Sequence, residues 1–492
     1  MTPITRLAAT EMACLVRQKK LSPVEVVEAH LQQIERLNPR LNAFVCIDFE
    51  RAREAARRAE QRMMQDDHGP LLGVPISIKS SIDVVNLRSE VGSRLRRGYI
   101  ATQDAPLVRR LKDAGAIILG TTNTPEMLMA YETDNLLYGR SCNPWDLERT
   151  PGGSSGGEAA AIAAGMSAAG VGSDGGGSIR VPAHFSGICG LKPTPGRIPA
   201  TGHFPPCVGP WAIMGVVGPM ARTVSDLKLL LNVMAGPDDG DAMAAPIAPS
   251  SAVSHQIQVG FYEHYACGST TAETRDTVRR AAGALRAAGV RVEPFLPTEL
   301  DEALRLWELV FCDAGAVLVT AAVRGHEAEL SAVLQGFLDY VRHKPPLTAE
   351  NLLLALVRRD ELRARFLRNM RPYRVLLAPV SSGPAFRHGD GGWGASHPAN
   401  YLETMRYSQP FNLLGLPAAV VPVSYSPEGL PIGVQVIGRP CEEELVLSVA
   451  ATIEAQFGFQ EPPMKTAAAD GGQTITVQEG KGVPSSRPYS KL

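Results

Sequence analysis

The densest chemical signal in this 492-residue sequence lies in residues 151–190, which hold twelve of its 47 glycines. Glycine allows the main chain to turn tightly and to approach a ligand closely, so we expect a substrate to meet backbone groups here. Of the six serines in this stretch, Ser154, Ser155 and Ser178 each adjoin a run of at least two glycines. A serine hydroxyl becomes a good nucleophile only when a neighbouring base takes its proton.

Two short motifs in this stretch suggest different chemistries. Residues 170–175 fit GxGxxG, but a dinucleotide site requires a helix to open at the third glycine, and here two more glycines follow. Residues 152–156 fit GxSxG, the nucleophile elbow of α/β-hydrolases. The elbow must follow a buried strand, whereas residues 143–151 are polar and broken by proline. In that interpretation His388 or His397 would be the base.

Taken as a whole, the segment resembles the amidase signature family. The resemblance rests on a strand lysine, Lys79, a Gly-Gly-Ser-Ser-Gly-Gly loop, an alanine-rich stretch and then Asp-Gly-Gly-Gly-Ser-Ile-Arg. Ser154 and Ser178 are 24 residues apart, which is the spacing that the family uses. Matching pieces extend over residues 10–460, including 73–75, 190–194, 218–222 and 431–435.

The resemblance implies a Ser-Ser-Lys triad: Ser178 as the nucleophile, Lys79 as the base and Ser154 as the proton relay between them. It also implies an oxyanion hole formed by the N–H groups of Gly175, Gly176, Gly177 and Ser178. A lysine is a base only when neutral, so burial must lower its pKa from about 10.4 toward roughly 7 to 8. Asp83 is the nearest acid in the sequence, and pairing with it would prevent this. In the family the bridging serine follows a cis peptide bond, here between residues 153 and 154.

A second set of residues is predicted to bind the substrate. Residues 128–131 resemble the acyl-site lining of the branch that includes fatty acid amide hydrolase and bacterial amidases. Trp307 and Phe311 are four apart on a predicted helix and share a face, although both also fit a core. Residues 204–211 are rich in rings, and Asp174 and Arg180 are expected to orient the loop. The predicted substrate-binding residues are Leu128, Met129, Tyr131, Ser155, Trp307, Phe311 and Cys312.

The elements that must position these residues follow an α/β pattern. Residues 8–66 show helical periodicity, residues 74–79 alternate as a strand does, and helix-like segments then alternate with short Val/Ile-rich runs. The resemblance implies the amidase signature fold, a central twisted mixed β-sheet covered by helices on both faces. We expect one domain over residues 1–462, divided into an N-terminal helical layer (1–66), the signature core (71–235) and a second half of the sheet with pocket helices (255–462). Residues 463–492 are expected to form a flexible tail.

Composition excludes several function classes. Lys and Arg total 49 against 50 for Asp and Glu, a net charge of −1 that gives nucleic acid no attraction. The ten histidines lack metal-ligand spacing, so neither a metal nor a cofactor is predicted. No uncharged apolar run is long enough to cross a bilayer, and the eight dispersed cysteines suggest reduced thiols. We expect a cytoplasmic protein with no membrane partner; the alternative is peroxisomal, from the terminal Ser490-Lys491-Leu492.

The resemblance to the amidase signature family implies a hydrolase that cleaves C–N bonds of amides, and also anilides, carbamates and esters, and we expect medium-sized apolar or aromatic groups on its substrates. It is expected to act as a monomer or homodimer on a small molecule. The alternative within the family is the glutaminase subunit of a tRNA-dependent amidotransferase, which usually reads Asn-Met-Asp-Glu-Phe at residues 123–127. A non-catalytic binding protein is a third class. The chain departs from the family at Gly175, where a larger residue is common, and at Ser80, where an acid usually follows the lysine.

Overall fold

The computed structural model describes residues 3–66, 69–247, 257–265 and 268–464. Nearly all of the expected tail, including the terminal Ser490-Lys491-Leu492, lies outside the described residues.

Thirteen strands occur in the described residues, of which eleven form one sheet and β10 and β11 form a separate pair. They are β1 (Phe44–Ile47), β2 (Pro75–Lys79), β3 (Ile117–Thr122), β4 (Ala169–Asp174), β5 (Cys189–Lys192), β6 (Val216–Ala221), β7 (Gln258–Phe261), β8 (Arg291–Pro294), β9 (Val375–Pro379), β10 (Gly391–Gly392), β11 (Ala399–Asn400), β12 (Ala418–Tyr425) and β13 (Pro431–Gly438).

The sheet is mixed in strand direction. Its order is β1-β3-β2-β4-β6-β5-β12-β13-β9-β7-β8. Strand β2 is parallel to both β3 and β4, and β7 is parallel to both β8 and β9. The remaining pairs, from β4·β6 through β13·β9 and at β1·β3, are antiparallel.

Helices account for most of the rest of the described chain. The α-helices are α1 (Ala9–Arg17), α2 (Pro23–Leu41), α3 (Phe49–Met64), α4 (Pro106–Asp113), α5 (Gly156–Ala163), α6 (Arg180–Ser186), α7 (Val224–Met234), α8 (Ala272–Ala287), α9 (Leu300–Trp307), α10 (Ala314–Val323), α11 (Ala332–Arg342), α12 (Ala349–Asn369), α13 (Tyr401–Thr404), α14 (Gln409–Leu413) and α15 (Glu443–Phe457). One π-helical segment, Glu308–Asp313, joins α9 to α10.

Both faces of the sheet are buried, as alternation along its central strands shows. On β9, Val375 and Leu377 pack into one apolar core, and Leu376 and Ala378 pack into another. Successive side chains of a strand point to opposite faces, so the two cores lie on opposite sides of the sheet. Helices α7, α8 and α15 contribute to the first core, and α6, α9 and α12 to the second. The predicted α/β class, with a mixed sheet covered on both faces, is confirmed.

One helical segment of the described residues, Leu300–Val323, is long and apolar enough to span a membrane by length and composition, and 44% of its most apolar window is buried. This segment includes four acids, and two of them, Glu308 and Asp313, pair with Lys344. Within the fold its buried members, Trp307 among them, pack into the second core.

Candidate active site

Two parallel strands bring the predicted site together. Lys79 is the last residue of β2, and β4, its parallel neighbour, ends at Asp174. Parallel neighbours end at the same edge of a sheet, so residues at the ends of β2 and β4 meet. Ser178 lies in the short loop between the end of β4 and α6, which begins at Arg180. Ser154 lies just before α5, which begins at Gly156.

Lys79 lies in a buried environment of hydroxyl groups. Its side chain is fully buried, and Nζ donates to Ser154 Oγ at 2.7 Å and to Ser173 Oγ at 2.9 Å. Burial lowers the pKa of Lys79 to about 7, against the carboxylates of Asp174 and Glu158, which raise it. Asp83 does not pair with the amine and instead accepts from the Tyr99 hydroxyl. The amine is therefore placed to exchange a proton near neutral pH.

Ser154 and Ser178 line one cavity. Ser154 follows a cis peptide bond from Gly153, and its hydroxyl is in contact with Lys79. The carbonyl of Ser178 accepts from the N–H of Ser155 at 3.2 Å, which ties the two serine loops together. The structure thus joins Lys79 to Ser154 and places Ser154 and Ser178 on the wall of one cavity.

The glycines before Ser178 are held by groups behind the loop. Trp307 Nε1 donates to the Gly175 carbonyl at 2.9 Å, and the Tyr131 hydroxyl donates to the Gly176 carbonyl at 2.8 Å. A Cβ on Gly176 would lie 2.5 Å from Trp307 Cζ2, so only glycine fits there. Since C=O and the following N–H of a trans peptide point in opposite directions, the N–H of Gly176 points away from Trp307.

The oxyanion-hole prediction requires a correction at Gly177. The N–H of this residue, which has a left-handed φ of 127°, donates to Asp174 Oδ1 at 2.7 Å. That donor is already engaged within the loop, so the prediction for Gly177 is wrong. Gly175, Gly176 and Ser178 remain candidates to bind an oxyanion.

Asp174 and Arg180 form a buried ion pair that shapes the loop. Arg180 Nε donates to Asp174 Oδ2 at 3.0 Å, and both side chains are fully buried. Burial alone would raise the pKa of Asp174, but the guanidinium of Arg180 holds it well below its usual range. Asp174 also accepts from the N–H of Ile179, so a fixed carboxylate organises both sides of Ser178.

Sequence reasoning missed a buried carboxyl group behind Lys79. Glu158, on α5, accepts hydrogen bonds from the Ser77 hydroxyl and, at 2.7 Å, from Thr122 Oγ1. Burial raises the pKa of Glu158 to about 7, against these two hydrogen bonds. Ser77 is on the same face of β2 as Lys79, and Thr122 pairs with Lys79 across β3. Glu158 therefore links α5, the helix that follows Ser154, to β2, the strand that ends at Lys79.

The cavity beside the serines is small and mostly apolar. The centre of a water molecule can occupy about 60 Å³ of it. Of the predicted substrate-binding residues, Leu128, Met129 and Phe311 line it. Leu128 has a left-handed φ of 66°, as does its neighbour Met127 with 51°, a strained backbone for residues other than glycine.

Four predicted substrate-binding residues lie outside the cavity wall. Ser155 is fully buried and exchanges hydrogen bonds with the main chain of Ser173, so it joins α5 to β4. Tyr131 and Trp307 lie behind the glycine loop and hold its carbonyls. Cys312 is fully buried in the second core. None of these four side chains lines the cavity in this structure, so their predicted contact with the substrate stays a prediction.

Trp307 nevertheless supports the wall, since its ring stacks on that of Phe311 at 4.7 Å between centroids. The ring-rich stretch contributes Pro205, Pro206 and Trp211, as predicted. Sequence reasoning missed the other lining residues, and for His203 the only signal was its place directly before this stretch. The missed residues are Met127, Ser173, His203, Gly215 and Val216.

A larger cavity, of about 290 Å³, lies between α3 and β3, and none of the predicted site residues lines it. Among the residues that the structure describes, no group of three or more His, Cys, Asp or Glu side chains is placed to hold a metal ion.

Comparison with known proteins gives one matching family model, several relatives in sequence and several similar solved structures. The family model described as Amidase matches residues 25–447. Indoleacetamide hydrolase of Bradyrhizobium diazoefficiens is 36% identical, over 93% of this chain and 87% of that protein. A glutamyl-tRNA(Gln) amidotransferase subunit of Carboxydothermus hydrogenoformans is 33% identical, over 92% of this chain and 98% of that protein. The crystal structure of a bacterial aryl acylamidase has 27% sequence identity and a TM-score of 0.81, over 92% of this chain and 97% of that one.

Proposed function

Because this chain belongs to the amidase family, and is an enzyme that hydrolyses amides, we propose that Ser178 attacks the amide carbonyl with Lys79 as the base and Ser154 as the proton relay. The observation that carries this proposal is the 2.7 Å contact between the buried amine of Lys79 and the Ser154 hydroxyl. A serine hydroxyl is a weak nucleophile without a neighbouring base, and a neutral lysine in this position can be that base.

The proposed reaction moves one proton in each direction. Ser178 Oγ forms a bond to the carbonyl carbon while its proton passes to Ser154, whose own proton passes to Lys79 Nζ. The C–N bond then breaks, and the proton returns from Lys79 through Ser154 to the leaving nitrogen. Water next attacks the carbonyl carbon of the Ser178 ester while one of its protons passes through Ser154 to Lys79. The bond from that carbon to Ser178 Oγ then breaks, the proton returns through Ser154 to Ser178, and the acid is released.

Negative charge on the carbonyl oxygen is proposed to be stabilised by the N–H groups of Gly175, Gly176 and Ser178. Loss of one such donor typically costs about 3 kcal/mol in the transition state. The hydrogen bonds from Trp307 and Tyr131 to the loop carbonyls support this assignment, since they fix the orientation of the peptide planes.

We propose amides with medium-sized apolar or aromatic groups as substrates. Support comes from the wall of Leu128, Met129, Trp211 and Phe311. The only arginine of residues 151–190, Arg180, is committed to Asp174 and is therefore not available for a substrate carboxylate. Two relatives are named for aromatic amides, indoleacetamide hydrolase and aryl acylamidase. The small cavity requires side-chain movement to admit such a group.

The glutaminase subunit of a tRNA-dependent amidotransferase is the second candidate, favoured by the 33% identical amidotransferase relative. We place it second because residues 123–127 differ from the sequence usual in that subfamily and the net charge is only −1. We also propose that the protein is cytoplasmic and acts as a monomer or homodimer. The seven cysteines in the described part of the chain are free thiols, which is typical of a reducing compartment.

The direct test is labelling with a serine-directed phosphonylating or sulfonylating reagent, followed by mass spectrometry. We expect the label on Ser178, and we expect Ser178→Ala to abolish turnover while the protein stays folded. A label on Ser154 or Ser155, or an active Ser178→Ala variant, would overturn the assignment.

A further inference from the structure

A loop outside the active-site cavity, residues 388–393, contacts the segment that forms one side of that cavity. This wall segment, residues 127–132, includes Leu128 and Met129, which both line the cavity. Two contacts join the loop to the wall segment, one at each end of the loop. The proposed reaction uses none of the residues that make these contacts.

The first contact is a buried pair between His388 and Glu132. Nδ1 of His388 lies 3.1 Å from Glu132 Oε1, and the two side chains are only 5% and 8% exposed. A carboxylate can only accept, so Nδ1 donates. The N–H of Gly389 also donates to this carboxylate, at 3.2 Å from each oxygen. Three hydrogen bonds therefore fix the start of the loop against residue 132.

The second contact is made by Trp393, at the other end of the loop. Its Nε1 donates to the carbonyl of Met129 at 3.0 Å, and the residue is buried. The ring packs against those of Phe337, Tyr340 and Tyr401, with centroids 5.1, 6.0 and 5.5 Å away. Because three neighbouring rings hold the indole, its N–H is a fixed donor that sets the position of the Met129 main chain.

The wall segment has a main chain that needs such support. Met127 and Leu128 both have left-handed φ values, a conformation that persists in residues other than glycine only when surrounding contacts hold it. The N–H of Met127 donates to the Val91 carbonyl at 3.0 Å, and Trp393 binds the carbonyl of Met129. These two hydrogen bonds lie on either side of Leu128 in the chain and so hold it in place.

The part of the chain next to the catalytic serines has a separate anchor. Thr133 Oγ1 donates to the carbonyl of Gly152 at 2.8 Å, which joins residue 133 directly to the Ser154 loop. Loss of the Trp393 bond therefore leaves this anchor in place. The loop should act on the wall that faces the acyl group and not on the reacting serines.

We propose that Trp393 is a positioning residue for acyl specificity, whose bond to Met129, maintained by the His388–Glu132 pair, holds the wall segment against the acyl group of the substrate. This inference rests on the proposed function, since it takes Leu128 and Met129 as residues that contact that group. An octanoyl group is long enough to depend on the wall, whereas an acetyl group is not.

Two substitutions each remove one hydrogen bond and keep an aromatic ring. Trp393→Phe loses the indole N–H, and His388→Phe loses the donor at Nδ1. His388→Asn keeps a donor near the position of Nδ1 and is the conservative variant. His397→Phe is the matched control, because in the described structure no hydrogen bond joins His397 to the wall segment. Thermal melting of every variant checks that the fold is intact.

The experiment measures kcat/KM for acetyl and octanoyl p-nitroanilides. The octanoyl-to-acetyl ratio should fall roughly fivefold in Trp393→Phe and in His388→Phe, the effect of one lost hydrogen bond. The ratio should stay near the wild-type value in His388→Asn and His397→Phe. Because both contacts hold one segment, the double variant of Trp393→Phe and His388→Phe should fall no further than the weaker of the two single variants.

A second measurement follows inactivation by methanesulfonyl fluoride, a serine-directed reagent too small to depend on the wall. Its rate with Ser178 should be the same in the wild-type enzyme and in all variants. A slower rate in folded Trp393→Phe would show that the substitution disturbs Ser178 itself and would overturn a role confined to the acyl wall.

An unchanged octanoyl-to-acetyl ratio in Trp393→Phe, or equal losses on both anilides, would overturn the positioning role and leave the Ser-Ser-Lys proposal intact. Losses that multiply in the double variant would overturn the joint action of the two contacts. Failure of the wild-type enzyme on both anilides, together with no sulfonylation of Ser178, would instead contradict the proposed function.

Discussion

An amine that is to take a proton near neutral pH must be shielded from water and from direct carboxylate contacts, and Lys79 meets both conditions. Its pKa of about 7 predicts that kcat/KM rises with pH through that value, because below it the amine is protonated and cannot act as a base. Lys79→Ala should slow an amide more than the matching ester, since an alkoxide needs the returned proton less than an amine does. pH-rate profiles on both substrates measure this. Equal losses, or a rate that falls across pH 6 to 8, would count against Lys79.

Glu158 offers a second test of the same amine. Its carboxylate stabilises the protonated form of Lys79, so replacing it with a neutral side chain should lower the lysine pKa. We expect Glu158→Gln to move the acidic limb of the kcat/KM profile to lower pH by about half a unit. Glu454→Gln, a partly buried carboxyl on α15, is the matched control and should leave the limb in place. A shift to higher pH would contradict this electrostatic role.

At this scale the sequence predicted Lys79, Ser154 and Ser178 as the reacting side chains, and the directions of the neighbouring side chains were not predictable. Lys79, Ser154 and Ser178 are identifiable because a motif with fixed spacing contains them. Ser155 is adjacent to Ser154 in the same motif, yet its hydroxyl bonds to Ser173 rather than facing the cavity. Such directions depend on how β4 and α5 pack, and no local pattern contains that information.

The sequence predicts the boundaries of a helix best where a capping motif marks its first residue. Ser22-Pro23-Val24-Glu25 has the sequence of a capping box, which predicts that a helix begins there, and the structure has Pro23–Leu41 with both capping hydrogen bonds present. The pocket helices expected within residues 255–462 include four α-helices between Leu300 and Asn369, and a π-helical segment, Glu308–Asp313, carries Phe311. Packing of that ring between Trp307 and Trp211 was not predictable from helical periodicity.

Helix α6, which follows Ser178, is anchored by a histidine that must stay neutral. His184 Nδ1 accepts from the N–H of Gly433 at 2.8 Å, and Nε2 faces the Gly383 carbonyl at 3.0 Å. Burial lowers the pKa of His184 to about 4. In the unfolded chain histidine has a pKa of about 6.5, so the unfolded state binds more protons below that value. Stability is therefore present above pH 6.5 and is lost as the pH falls toward 4.

We expect His184 to contribute about 2 kcal/mol to the stability lost between pH 7.5 and pH 5. Urea unfolding at the two pH values measures the loss. His184→Gln should be less stable at pH 7.5 but lose less on acidification, while the exposed His343→Gln control should behave as wild type. An unchanged pH dependence in His184→Gln would show that this ring does not titrate on unfolding.

At the scale of the whole molecule, one sheet joins the two halves of the sequence. Strand β5, from the glycine-rich half, pairs with β12, some 230 residues later, at Lys192↔Ala418. The pairing places Gln435 of β13 against Arg180 and so connects the C-terminal strands to the Ser178 loop. The alternating pattern predicted the class, and the resemblance implied the mixed sheet. The strand order was not predictable because pairing between distant segments is decided by the assembled core.

The same assembly bears on whether the chain acts alone. Lys79, both serines, the loop donors and the apolar wall all come from this one chain, so the purified protein should hydrolyse anilides without a partner. Along acetyl, octanoyl and benzoyl p-nitroanilides, kcat/KM should rise, each buried methylene adding no more than about 1 to 3 kcal/mol. Glutamine, whose polar side chain finds no free charge in the described wall, should be a poor substrate. Values of kcat/KM that stay flat or decline along the series would contradict the proposed apolar pocket. A clear preference for glutamine that appears only with partner subunits would establish the amidotransferase alternative.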